Sequence, residues 1–537
     1  MRPATPQVPA LPQPAESARA VGRERRTRRR LWAVLAMGLV WIGILAWRLF
    51  ELQVERHGEF SERAQRQQRR VLELDAPRGT IYDLRGRELA VSVPAQTVFA
   101  DPSRLEDRAR AAADLATALR LDRLERRDLE RRLQRDSEFV FVARKVEPEA
   151  AERVRALGLR GVGLLEESRR IYPRGEVAAH VLGFVGTDNH GLAGLESTWD
   201  REIAGETVRR QVLRDARRTL VVAPAALDAA ARAGADLHLT LDATLQYLAE
   251  KELRAAVERF DAPGGVIVLL DARDSAVLAM ASYPSFDPNR FGAFSQESWR
   301  NRAVMDAYEP GSTFKMVTAA AALESLAIHP DDRLDCEMGG ITLAGTFIGD
   351  HKPFGTLTFR EVIARSSNVG VIKAALRTGT DRVYGMTAAF GFGRPTGIDL
   401  PGESAGILRP RERWVGLTTA YAAFGHGLSA TPIQLANAYA ALANGGSWHR
   451  PYVVRGTSRD GRYEPVRRPA PERLPFGPGT QQTLVRLLEG VVETGGTGRG
   501  GAVPGYRVAG KTGTAEKSDH RGYSATGRIA SFVAFVP

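Results

Sequence analysis

Glu309-Pro310-Gly311-Ser312-Thr313-Phe314-Lys315-Met316-Val317-Thr318 is the stretch on which the reading of this chain turns. Glu309-Pro310-Gly311 is a turn signal and the run from Ser312 through Leu326 is rich in helix formers, so Ser312 is predicted to open a helix. Residues three apart share a helix face, which brings Lys315 to the Ser312 hydroxyl. Desolvation of the Lys315 ammonium lowers its pKa and fits it to act as a base, while the helix dipole favours negative charge beside Ser312. Taken alone, a serine three residues before a lysine recurs by chance.

Two further strings give that spacing its meaning. Ser366-Ser367-Asn368 follows a short helical stretch and supplies a hydroxyl and a carboxamide. Ser366 is placed to relay a proton between Lys315 and a leaving group, and Asn368 to bind Lys315 or a substrate amide; the plain alternative is a helix-to-turn cap. Lys511-Thr512-Gly513-Thr514 reads as part of a strand. Gly513 there is expected to let a ligand lie close to the backbone, Lys511, Thr512 and Thr514 offer a charge and two hydroxyls to a carboxylate, and the Thr514 N–H joins that of Ser312 in an oxyanion hole. The plain alternative is a surface turn with a solvated lysine.

Jointly and in this order, the strings resemble the penicillin-binding protein and serine β-lactamase superfamily, with its Ser-x-x-Lys, Ser-x-Asn and Lys-Thr/Ser-Gly pattern. The resemblance implies an α+β fold: a mainly antiparallel five-stranded sheet flanked by helices, with the site between them. It implies Ser312 as nucleophile acylated by a peptidoglycan stem peptide, Lys315 as its base, Ser366 and Asn368 as second-motif groups, and Lys511, Thr512, Gly513 and Thr514 as the carboxylate-recognition strand. D-alanine leaves, an amine from a neighbouring stem attacks, and β-lactam antibiotics acylate the same serine. No cofactor is implied. The nine histidines show no His-Glu-x-x-His spacing, which leaves a metal mechanism without support.

The N-terminus narrows the class. Residues 1–30 hold eight arginines against Glu16 and Glu24 and lack an apolar period, so a disordered basic cytoplasmic tail is expected. Leu31 to Trp47 is uncharged and continues through Leu49 and Phe50, close to the ~20 residues a bilayer span needs. No small-x-small cleavage site follows, which favours an uncleaved signal anchor at 31–50 over a signal peptide. The preceding arginines orient it with the tail in the cytoplasm and the catalytic strings on the periplasmic, cell-wall side of the inner (plasma) membrane. The formal charge of +12 comes with no nucleic-acid motif, so anionic lipid is the simplest partner of the basic cluster. The single cysteine, Cys336, excludes intrachain disulfides.

Beyond the span, more than one domain is expected. Ala76-Pro77-Arg78-Gly79-Thr80-Ile81-Tyr82-Asp83-Leu84-Arg85-Gly86, Arg170-Ile171-Tyr172-Pro173-Arg174-Gly175-Glu176 and Gly191-Leu192-Ala193-Gly194-Leu195-Glu196 resemble the pedestal of class B, high-molecular-weight penicillin-binding proteins. A pedestal (dimerisation-type) domain is thus expected over 51–235, opening with a charged helical neck, and a transpeptidase domain over 236–537, entered at Leu239-Thr240-Leu241-Asp242. Leu105 to Arg135 has helical periodicity, in this family a pair of helices on the pedestal. Asp83-Leu84-Arg85-Gly86 departs from the family's usual Asp-Arg-Asn-Gly, which puts local contacts in question.

Ser366-Ser367-Asn368-Val369-Gly370 and Gly397-Ile398-Asp399-Leu400-Pro401-Gly402-Glu403 look more like the cell-division (FtsI) branch than the rod-elongation branch. Glycan polymerisation then falls to a partner, in this family a SEDS-type glycosyltransferase, among other divisome membrane proteins. Val266–Asp271 with Ala276–Ser282, and Val508–Ala515 with Ile529–Val536, are expected as strand pairs. The family continues past Pro537 through one more strand and a helix, so a sheet ending here is expected to carry a gap between those pairs. Two readings compete with a transpeptidase: a β-lactamase, which has no use for a pedestal, and a catalytically impaired division scaffold.

Overall fold

Alanine and arginine are strong helix formers and proline suits a first helical turn, and in the computed structural model of the protein one helix runs from Pro14 to Phe50. The structure describes residues 14–56, 58, 69–74, 76–205, 208–213, 233–415, 417–519 and 522–536. The helix takes in the part of the expected tail from Pro14 onward; residues 1–13 lie outside the described residues. Arg30–Glu55 is long and apolar enough to cross a bilayer and none of it is buried. Of the expected helical neck, the π-helical turn Glu51–Glu55 and Gly58 are helical among the described residues. A ladder of Arg69–Leu74 with Val208–Leu213 belongs to this first unit, Met1–Leu74 with Val208–Ala230.

The second unit, Asp75–Thr207 with Ala231–Pro537, holds everything else. Strands β1 (Ile81–Tyr82) and β2 (Glu88–Ala100) are followed by helices α1 (Arg108–Leu119) and α2 (Arg123–Leu133), then β3 (Val140–Val146), α3 (Pro148–Ala156) and β4 (Val162–Ile171). Both helices start where an aspartate caps them: Asp107 accepts from Ala109 N and Arg110 N, and Asp122 forms a capping box with Glu125. Arg120, in the left-handed region, turns the chain between them. Leu129 and Leu133 are buried while the charges of α2 face water, as its period predicts.

The pedestal strings converge on one carboxylate. Glu196, fully buried, receives Arg78 Nη2 at 2.8 Å and Arg170 Nε at 2.7 Å, and Arg78 Nη1 reaches Asp200 at 2.6 Å. Arg170 Nη1 also donates to Gly79 O, where a Cβ would stand 2.0 Å from Ala235 O. The Asp83-Leu84-Arg85-Gly86 turn keeps its contacts despite its departure from the common pattern: Asp83 accepts from Arg85 N and Arg87 N, and Arg85 and Arg87 both reach Asp242 at 2.8 Å. Asp242 in turn caps α4 (Ala243–Arg259), just after β5 (Asp236–Leu239).

Strands β6 (Gly265–Leu270) and β7 (Val277–Tyr283) form the expected first hairpin, against which α4 packs. The Gly311–Phe314 turn leads into α5 (Lys315–Glu324), and the mostly helical region beyond gives α6 (Phe359–Arg365), α7 (Asn368–Thr378) and α8 (Pro432–Ala443). After β8 (Val454–Arg459) and β9 (Arg462–Pro465) come α9 (Pro478–Val492) and the hairpin β10 (Ala509–Asp519)–β11 (Gly522–Phe535), with Lys511 opposite Val533 and Gly513 opposite Ser531. The largest core, around Phe314, Val317, Phe359, Val371 and Leu487, is built by the helices about α5.

Among the described residues β6–β7 and β10–β11 are separate two-stranded ladders with no strand between them, where a gap was expected. One feature of the sheets differs from expectation. The longest sheet runs β9-β8-β5-β1-β2-β3 with β4 also on β2. Strands from the far C-terminal half thus complete the pedestal sheet, and the boundary expected at 235/236 is bridged by continuous backbone hydrogen bonding.

Candidate active site

Ser312 lies in a 3₁₀ turn, Gly311–Phe314, directly before α5, rather than in the α-helix itself. Gly311 supplies a positive φ of 57° that lets the chain enter this turn, and its N–H donates to Gly425 O at 3.2 Å. The buried Tyr439 hydroxyl donates to Thr313 O at 2.8 Å, so α8 holds the turn from beneath. Helix α5 is apolar and almost wholly buried, and it carries Lys315 into the interior with no exposed surface.

An unpaired buried ammonium is costly, and Lys315 is surrounded by acceptors. Its Nζ donates to Ser366 O at 2.6 Å, Asn368 Oδ1 at 2.8 Å and Ser366 Oγ at 3.2 Å. The expected hydrogen bond to the Ser312 hydroxyl is not among them, because the second string offers three better-placed acceptors. Lys511 enters from β10, also fully buried, and donates to Ser366 Oγ at 2.9 Å and Thr512 O at 3.1 Å. The Ser366 hydroxyl is therefore shared by two lysines. Burial, with the neighbouring Lys511 charge, pulls Lys315 well below the ordinary lysine range; burial brings Lys511 down to about 7. Both amines thus give up their protons more readily than an ordinary lysine, Lys511 near neutral pH.

The second string is a cap as well as a polar station. Ser366 ends α6 in the left-handed region at φ 63°, and Ser367 starts α7 by accepting from Gly370 N at 3.0 Å. Sequence reasoning missed what fixes this junction. Asp350 accepts from Ser367 Oγ at 2.7 Å, from Val369 N at 3.1 Å and from Asn368 N, while Asn368 Nδ2 donates to Gly349 O at 2.9 Å. Asp350 sits in no motif and reaches α7 only through the fold. It is also missing from any pattern of spacing, since it stands 18 residues from Asn368.

On β10 the side chains alternate. Lys511 points inward, and the half-buried Thr512 shares a 2.7 Å hydrogen bond with Thr497, a second residue that sequence reasoning missed. Thr514 is exposed. Gly513 has a reason besides the expected one: a Cβ there would lie 2.6 Å from Ser531 Oγ, 2.9 Å from Thr313 Cγ2 and 3.1 Å from Pro310 O. The missing side chain lets the strand dock on the Ser312 turn. A Cβ on Gly311 would meet Thr514 O at 3.0 Å, so the two backbones approach from both sides. The eight expected site residues therefore fall on the Ser312 turn and α5, the α6–α7 junction and β10. Among the described residues no group of His, Cys, Asp and Glu is arranged to hold a metal ion.

A serine, two buried lysines, a hydroxyl between them and a strand edge beside them are groups that acyl transfer to a serine could use. Similarity to known proteins agrees with that chemistry. Residues 265–537 match the penicillin binding protein transpeptidase domain and residues 73–239 the penicillin-binding protein dimerisation domain. The chain is 36% identical over 455 residues to peptidoglycan D,D-transpeptidase FtsI of Escherichia coli (strain K12), covering 83% of this chain and 74% of that one. It is 34% identical over 518 residues to stage V sporulation protein D of Bacillus subtilis, covering 95% and 80%. The crystal structure of penicillin binding protein 3 from Mycobacterium tuberculosis, complexed with aztreonam, superposes with a TM-score of 0.67 at 29% identity, covering 87% and 88%. The chain belongs to the class B penicillin-binding proteins, of the FtsI-like kind, and is a peptidoglycan D,D-transpeptidase.

Proposed function

We propose that Ser312 is the residue that carries the acyl group, and that the enzyme cross-links peptidoglycan stem peptides during septal wall synthesis. Neutral Lys315 accepts the Ser312 proton as Oγ attacks the penultimate D-alanine carbonyl. Ser366 relays protons between Lys315 and the departing D-alanine, and Asn368 holds Lys315 and the substrate amide. The N–H groups of Ser312 and Thr514 face the developing oxyanion. Lys511 in its protonated form, with Thr512 and Thr514, receives the substrate carboxylate, and Gly513 keeps that strand against the nucleophile. A stem-peptide amine then attacks the acyl-enzyme, and β-lactams stop at that stage. The observation that carries this reading is the Ser366 hydroxyl held between Lys315 and Lys511, 3.2 Å and 2.9 Å away. The aztreonam complex of the similar mycobacterial protein supports the β-lactam part.

In this reading residues 51–235 form the pedestal and 236–537 the transpeptidase domain. The Arg30–Glu55 stretch spans the inner membrane with the arginine-rich end inside, and a SEDS-type glycosyltransferase and other divisome proteins are its partners. Intact-mass measurement of the full chain after incubation with benzylpenicillin tests the chemistry. A stable adduct that disappears in Ser312→Ala, with melting behaviour unchanged, is the expected result. An equally folded Ser312→Ala that still takes up penicillin removes Ser312 from the role.

A further inference from the structure

The machinery above accounts for acylation but leaves a chemical gap. The acceptor of the second half-reaction arrives as an ammonium ion, and it must lose a proton before its nitrogen can attack. At the rim of the nucleophile turn stands a group of titratable side chains that acylation does not use. Glu309, three residues before Ser312, is held by the Gly427 N–H at 2.8 Å on one oxygen, and its other oxygen lies 3.3 Å from His426 Nδ1. The Gly425-His426-Gly427 loop is pressed against the turn: a Cβ on Gly425 would lie 2.2 Å from Gly311 O and 2.8 Å from Phe314 Cβ. The His426 ring packs on Phe424 at 4.8 Å between centroids and keeps 19% of its side chain in contact with water. Glu516, exposed on β10 two residues past Thr514, and Lys315 are the other charges acting on the ring.

We propose, resting on the transpeptidase reading, that Glu309, His426 and Glu516 form the station that receives the acceptor amine, with His426 as the base that deprotonates it. The two carboxylates draw in the cation. The tautomer in which Nδ1–H faces Glu309 places the lone pair on Nε2, and Glu309 stabilises the imidazolium that forms. Burial keeps the imidazole below its ordinary value although both glutamates oppose this, so the ring is uncharged and ready at neutral pH. One proton passes from the acceptor ammonium to His426 Nε2. The free amine then forms a bond to the acyl carbon and the bond from that carbon to Ser312 Oγ breaks. The remaining proton shed by the nitrogen returns to Oγ through Lys315. Ser312 is regenerated and His426 releases its proton to water.

The test separates the half-reactions. The full chain in detergent is given an N-acyl-D-alanyl thioester as donor and D-alanine as amine acceptor, and the ratio of aminolysis to hydrolysis of the acyl-enzyme is followed against pH. In His426→Ala the ratio is expected to fall about 10²-fold or more, the magnitude of a lost general base, its pH dependence to flatten, and added imidazole to restore part of it. Glu309→Gln should lower the ratio less. A ratio and pH profile unchanged in His426→Ala overturn the proposal, as does a fall with no imidazole rescue and a lowered melting temperature, which marks a structural role. Wild-type enzyme that forms the acyl-enzyme but yields only hydrolysis overturns the transpeptidase reading along with it.

Discussion

The molecule buries two pairs of cations and treats them in opposite ways. In the pedestal, Arg78 and Arg170 close on the carboxylate of Glu196, with Asp200 as a second anion. In the catalytic half, Lys315 and Lys511 close on the hydroxyl of Ser366. A guanidinium stays charged in any folded protein and presents a rigid fork, so it needs a buried anion and makes a fixed joint. An ammonium facing a hydroxyl has no such anion, and the cheaper course is to lose its proton. The first arrangement ties distant pedestal strings together; the second makes two amines that give up their protons more readily than an ordinary lysine. Residue choice, arginine in one and lysine in the other, thus separates a structural joint from a reactive centre.

Exchanging the roles should break this contrast. The largest effect is expected from Lys315→Met, which removes the base and its three hydrogen bonds: acylation by benzylpenicillin should slow by at least ~10²–10⁴, while thermal unfolding stays close to wild type. Stopped-flow acylation and calorimetry read the two sides. Glu196→Gln should do the reverse. It leaves Arg170 without its carboxylate and Arg78 with Asp200 alone, a loss on the order of 3–5 kcal/mol, so the melting temperature should drop markedly while protein that remains folded acylates at a near-normal rate. A Glu196→Gln protein with unchanged melting would show that the pedestal joint is not what the buried network suggests.

A smaller effect belongs to Asp350. It touches no lysine, yet it fixes Ser367 and Asn368 at the start of α7. Asp350→Asn should slow acylation about tenfold, equivalent to ~1.4 kcal/mol, because the Asn368 contact to Lys315 loosens. An unchanged rate would mean that α7 holds the second string without it.

What was legible from sequence follows from how local each signal is. The Ser312–Lys315 spacing, the β6–β7 and β10–β11 hairpins and the two capped pedestal helices depend on neighbours a few residues apart, and the structure has them. The resemblance groups the three strings into one site; in the structure Lys315 and Lys511 both donate to Ser366 Oγ, and the Lys315 hydrogen bonds go to the second string instead of Ser312. Asp350, Thr497 and Tyr439 act through tertiary contacts with no local pattern, so nothing in the sequence marked them. The same holds for the convergence of Arg78 and Arg170 on Glu196, and for β8 and β9 completing a sheet begun at Ile81. Gly513 has a second reason that no local pattern carries: a Cβ there would also meet Ser531 Oγ, Thr313 Cγ2 and Pro310 O across the docked turn.

In the proposed mechanism Ser312 is activated by Lys315, which burial and the Lys511 charge hold well below the ordinary lysine range, beside Lys511, which must stay charged to receive a carboxylate. The second-order rate of acylation by benzylpenicillin, measured against pH, tests it most directly, since that rate reports groups of the free enzyme. Lys315 lies well below its ordinary value, so the rate should rise with pH only on the acid side, as this amine loses its proton. Lys511 titrates at about 7, so the rate should fall as pH climbs past that value and the carboxylate loses its cation. A bell with its maximum near neutrality is the expected result, its basic limb abolished in Lys511→Arg. A rate that climbs steadily to pH ~10, the ordinary lysine value, would contradict the account.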